Sequence, residues 1–87
     1  MSETMLSVTF EKKAMSHGDG HFSIPTRVCR LLGVDHGDEV HLIISHPNGG
    51  ILFAGNRQTK SGYEIYGKDM AKIIKAGDRI RVTVSKP

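Results

Sequence analysis

The chain has few of the residues that stiffen or staple a small fold: one cysteine, three prolines and no tryptophan in 87 positions. With Cys29 alone, no intrachain disulfide can form, so packing has to hold the fold, and a reducing compartment suits it. Cys29 itself falls inside a predicted helix and counts as a small apolar residue. No run of about eighteen apolar residues occurs, which argues against a membrane-spanning helix. The start, "MSETMLSVTFEKK", lacks the charged leader and long apolar block of a secretory signal. The expectation is a cytoplasmic protein with no membrane partner. Catalytic fingerprints are missing as well. No G-x-G-x-x-G or Gly-Lys-Ser/Thr opens a helix, so "GDG" at 18–20 is no phosphate loop. Ser45 and Ser61 lack a recognisable base and orienter. No enzyme activity and no cofactor are expected.

Acidic residues become scarce in the second half. Residues 1–45 hold four Lys/Arg against six Asp/Glu, and residues 46–87 hold eight against three, so the halves carry −2 and +5. That split suggests one basic face suited to a polyanion.

What is present is alternation. "LSVTFEKK" sets Leu6, Val8 and Phe10 against Ser7, Thr9 and Glu11, a strand with one buried face. After the loop "MSHGDG", Phe22 and Ile24 share a side, and Pro25 ends the strand and opens a helix. In "TRVCRLLG", Val28, Leu31 and Leu32 fall inward at helical spacing, Arg27 and Arg30 face out, and Gly33 terminates. "EVHLIIS" buries Val40, Leu42 and Ile44. In "HPNGG", Asn-Gly supplies the positive φ angles of a tight turn, from which a strand "ILFAG" folds back. The polar loop "NRQTKSG" leads to a short strand "YEIYG" and a helix "KDMAKIIKAG" with Met70, Ile73 and Ile74 inside. The last strand, "RIRVTVS", points Ile80, Val82 and Val84 inward and leaves Arg79 and Arg81 as decoration outside.

The order strand, strand, helix, turn, strand therefore occurs twice. Placing Phe22 on Tyr63 and Ile24 on Ile65, with one residue dropped from the second helix, brings Gly37-Asp38 onto Gly77-Asp78 and Pro47 onto Pro87. A repeat this short cannot bury its own apolar face, so the two copies, about residues 5–47 and 48–87, must share one core within a single domain, 1–87. The prediction is a mainly β fold: a small, closed or nearly closed, pseudo-two-fold β-barrel with two short helices at its ends. Asp38 and Asp78 should bond backbone amides in their turns. The copies differ in charge, since Glu39, His41 and His46 become Arg79, Arg81 and Lys86.

"GHFSIPTRVCRLLGVDHGDEVHL" carries Gly20, Ile24-Pro25, Leu32-Gly33 and Gly37-Asp38 in an order that resembles the SpoVT/AbrB family of bacterial and archaeal regulators. The likeness covers about residues 6–55, and the hairpin "LIISHPNGGILFAG" resembles the family's swapped hairpin. The two-repeat arrangement is also similar to the double-psi barrels. Members of these barrel families that cut themselves at Gly-Ser, or proteolyse with Asp-Thr-Gly, are not matched, because neither sequence occurs here.

The AbrB-like resemblance implies a DNA-binding transcriptional regulator that contacts double-stranded DNA through basic loops and the short helix. By position, the contacts would be Lys12 and Lys13 at the end of the first strand, His21 after the Gly, and Arg27 and Arg30 on the helix. His21 replaces a basic residue, and an imidazole with ordinary titration is mostly neutral at pH 7. In the second repeat, Lys68, Lys72 and Lys75 share a helix face, with Arg57 and Lys60 in the preceding loop, and could extend the contact. AbrB-type barrels are usually built by two chains, so a homodimer and a self-contained monomer both stay open. An antitoxin of this family would carry a further tail for its toxin partner. The chain closes on "VTVSKP", which favours the regulator. The competing class is a double-psi adaptor that binds a protein or small ligand between the repeats.

Five histidines raise a metal site. His41 and His46 should point apart, and only the loop His17, Asp19 and His21 offers convergence, so no metal is expected.

Overall fold

The computed structural model describes residues 6–13, 22–65, 68–75 and 77–87. Among the described residues, six strands and two short helices follow the doubled order: β1 (Ser7–Lys13), β2 (Phe22–Ser23), α1 (Thr26–Leu32), β3 (Glu39–Ser45), β4 (Ile51–Gln58), β5 (Glu64–Ile65), α2 (Lys68–Ile73) and β6 (Arg79–Ser85). All pairings are antiparallel. The strands form a four-stranded sheet, in the order β1-β6-β3-β4, and a two-stranded ribbon of β2 and β5. The fold is thus mainly β and built from antiparallel sheets. Among the described residues the ladder is not continuous around a barrel. No described helix is long and apolar enough to cross a membrane.

The register expresses the sequence repeat. β3 pairs with β6 so that Ile43 lies opposite Thr83, its counterpart forty positions later. β2 pairs with β5 so that Ser23 lies opposite Glu64, and the Ile24 amide donates to the Tyr63 carbonyl at 3.0 Å. Each repeat thus meets its own counterpart, as the alignment of Phe22 with Tyr63 and Ile24 with Ile65 requires. The outer pairs also match, with β1 on β6 and β4 on β3.

Alternation then builds one shared core. Val40, Leu42 and Ile44 from β3 and Ile80, Val82 and Val84 from β6 are fully buried, and they pack with Phe22, Ile24, Ile65, Val28, Cys29, Leu32, Met70 and Ile74. Neither repeat could enclose these side chains alone. Burial pushes the Cys29 thiol up, which keeps it protonated and unreactive.

Local details depart from the sequence reading in five places. Cys29, and not Leu31, faces the core; Leu31 is 65% exposed. The reason is where the helix begins: from Thr26, the inward stripe runs Val28, Cys29, Leu32. The helix ends as expected at Gly33 (φ 70°), where the Gly33 amide donates to the Arg30 carbonyl and the Val34 amide to that of Cys29 at 2.9 Å. Leu6 is 52% exposed because β1 begins one residue later.

The β3–β4 turn uses one positive φ, at Gly49 (103°), with none at Asn48. Pro47 locks its own φ negative, so the turn is closed by Gly49 N–H to His46 O (2.9 Å) and His46 N–H to Gly50 O (2.8 Å). Finally, β4 runs on through Gln58, so Arg57 lies in a strand and not in a loop. Conversely, the anticipated strand at Tyr63 is a tight 3-10 turn, Ser61–Tyr63, with Tyr63 itself at φ 58°.

Candidate nucleic-acid interface

The doubled topology creates two equivalent corners. At the first, β1 ends on Lys13, paired with Arg79 at the start of β6. The turn leaving α2 arrives at the same place: a Cβ at Gly77 would sit 4.0 Å from Lys13 Cε. That turn is held by Asp78, whose carboxylate accepts the Lys75 amide at 3.1 Å while the Asp78 amide donates to the Lys75 carbonyl at 3.0 Å. β2, which leads into α1, is tied in through Lys12, whose Nζ donates to the Ser23 carbonyl at 2.8 Å.

At the second corner, β4 ends on Gln58, paired with Glu39 at the start of β3. The turn leaving α1 is held by Asp38 in the same way, with its carboxylate accepting the Asp35 amide at 2.9 Å. The start of α2 is tied in through Arg57, which forms an ion pair with Asp69. Arg57 also lies over the Phe53 ring, 5.1 Å from its centroid, a cation–π contact that further fixes it. The expected role of Asp38 and Asp78, bonding turn amides, is what both corners show.

Geometry repeats and charge does not. Lys13, Lys75 and Arg79 at the first corner stand where the second has Gln58, Asp35 and Glu39. All three cations are exposed, and the Arg79 side chain is 70% accessible. Glu11 is the acidic neighbour. Its carboxylate is 3.1 Å from Arg81 and 3.7 Å from Arg79, so it mainly neutralises Arg81. Such a corner presents concentrated positive charge to solvent, the arrangement that attracts phosphates.

The sequence-derived candidates divide accordingly. Lys13 and Lys75 lie at the first corner, and Lys72 is exposed on the helix leading to it. Arg27 is exposed one residue into α1, and Arg30 is exposed in its last turn. Lys12 points to the inner side of β1 and is engaged with Ser23. Arg57, engaged with Asp69, and exposed Lys60 lie at the second corner. Lys75 falls beyond α2, so it does not share a helical face with Lys72. His21, and the loop His17, Asp19 and His21, lie outside the described residues. Among the described residues no group of three or more His, Cys, Asp or Glu side chains converges for a metal. Arg79 is the residue that sequence reasoning set aside as decoration. The signal for it was the replacement of Gly-Asp-Glu by Gly-Asp-Arg at equivalent positions.

The second corner carries further ties. Thr59 is buried, accepts the Gly37 amide at 3.0 Å and donates to the Asp38 carbonyl at 3.0 Å, while Gln58 Nε2 donates to the Gly37 carbonyl at 3.0 Å. Thr59→Val keeps the shape but strips the Gly37 amide of its partner. The expected loss is about 1–3 kcal/mol of stability, measurable as a lowered urea midpoint with unchanged slope.

No protein-family model, curated protein or solved structure matches this chain.

Proposed function

We propose that the protein is a non-enzymatic regulator of the SpoVT/AbrB kind that binds duplex DNA through the corner formed by the end of β1, the turn after α2 and the start of β6. One observation carries this reading. Two corners of equal backbone geometry differ in charge, with Lys13, Lys75 and Arg79 at one and Gln58, Asp35 and Glu39 at the other. Scaffold needs alone give no reason for these three positions to be cationic at one corner and neutral or acidic at the other. Arg27 and Lys72, on the helices that start and end nearby, extend the same positive surface. These contacts would grip phosphates and set the pose, while base discrimination would fall to neighbouring side chains.

The reading includes a barrel closed in the order β2-β1-β6-β3-β4-β5, of the swapped-hairpin or double-psi kind. Support comes from the bridge between Lys60, two residues beyond β4, and Glu64 in β5, and from the Lys12–Ser23 tie between β1 and β2. Closure would hold both corners rigid, as a phosphate-tracking surface requires. A fluorescence-anisotropy titration of a labelled mixed-sequence duplex at low salt tests the function. Saturable binding that weakens steeply with added salt is expected; absence of any duplex affinity would overturn it.

A further inference from the structure

The second corner holds a group that the proposed DNA contact does not use. His36 sits in the turn leaving α1, and its Nδ1 accepts the Gly62 amide at 3.0 Å. Its ring stacks on Tyr63, with centroids 4.1 Å apart and planes 16° from parallel. Tyr63 is the one non-glycine residue at positive φ among those described, and Gly62 before it is also positive, at 75°. A tyrosine in the left-handed region is strained and persists only when its surroundings hold it. The Tyr63 amide donates to the Lys60 carbonyl at 2.9 Å, and the Tyr63 carbonyl accepts the Ile24 amide, so this strained turn joins β4 to the β2–β5 ribbon.

We infer that His36 is a proton-operated latch on the segment 59–63. The Gly62 amide is a donor, so the ring can receive it only with Nδ1 bare and its proton on Nε2. A second proton on the ring places N–H against N–H and removes the acceptor. The latch is therefore closed while the ring carries one proton and opens when the ring takes a second, so acid opens it. The charged and titratable groups around it are Asp35 and Asp38 in its own turn and Lys60, Tyr63 and Glu64 in the segment packed on it. Asp38 is committed to the Asp35 amide. Opening would release the Tyr63 strain, free Lys60 and loosen the link between sheet and ribbon. This inference stands on the His36 contacts alone and does not depend on DNA binding.

Two measurements on the full chain test it without any ligand. Imidazole ¹⁵N shifts at high pH should show the Nε2–H tautomer for His36; an Nδ1–H tautomer overturns the latch. Amide exchange, corrected for its intrinsic pH dependence, should show protection at Gly62 and Tyr63 falling about tenfold or more between pH 8 and pH 5. In His36→Phe, which keeps an aromatic ring for the stack, that protection should be low and equal at both pH values. A pH-independent protection in the unmodified protein, or a pH response retained in His36→Phe, would contradict the proposal.

Discussion

Leu42→Ala is expected to lower the unfolding free energy by about 2–5 kcal/mol. Leu42 is fully buried on β3, which has β4 on one side and β6 on the other, and it is paired with both Gly55 and Val84. Its neighbours offer little relief. Gly55 has no side chain to fill the space, and the Phe53 ring already lies across it, 3.2 Å from where a Cβ would be. A domain of this length has about 4–13 kcal/mol in total, at 0.05–0.15 per residue, so the variant would lose a large share of it. Thermal unfolding should fall by about 4–8 °C for each kcal/mol lost. A loss confined to one repeat, seen as two separate transitions, would deny the shared core.

The second large effect concerns binding. Replacing Lys13, Lys75 and Arg79 together by alanine should flatten the log–log salt dependence of duplex affinity by about 2.7, at about 0.9 for each phosphate contact. Stability should change little. All three side chains are exposed, and the Lys75 contribution to its turn is made by the backbone amide, which alanine retains. Affinity should fall across all duplex sequences alike, because phosphate contacts do not discriminate bases.

Much of the fold was legible because the alternation is strict where burial is one-sided. Val40, Leu42 and Ile44, and Ile80, Val82 and Val84, declare their strands, and the two Gly-Asp boxes mark turns whose side chain to amide bonds the structure contains. What escaped was set by tertiary context. β4 continues through Asn56 and Gln58 because β3 supplies a ladder for it, and Asn56 gains a bond to His41 at 2.8 Å across that pair. A polar run reads as loop when no partner strand is known. Tyr63 looked like a strand residue by type, yet the stack with His36, twenty-seven positions earlier, belongs to a turn. The basic corner was half legible. Lys13 and Lys75 were candidates, but Arg79 joined them only once the pairing of Lys13 with Arg79 placed it there.

In the proposed reading, one of two equivalent corners carries the polyanion site. The most direct measurement compares duplex affinity against salt for three proteins: the unmodified chain, the variant with alanine at Lys13, Lys75 and Arg79, and a control with alanine at Arg30, Lys60 and Lys86. The control removes the same formal charge, with Lys60 at the second corner and Lys86 Nζ beside the Gly33 cap, 3.4 Å from where a Cβ would lie. A slope lower by about 2.7 in the first variant and nearly unchanged in the control is the predicted result. Equal flattening in both would mean that net charge alone attracts DNA, and would contradict a site at the β1 corner.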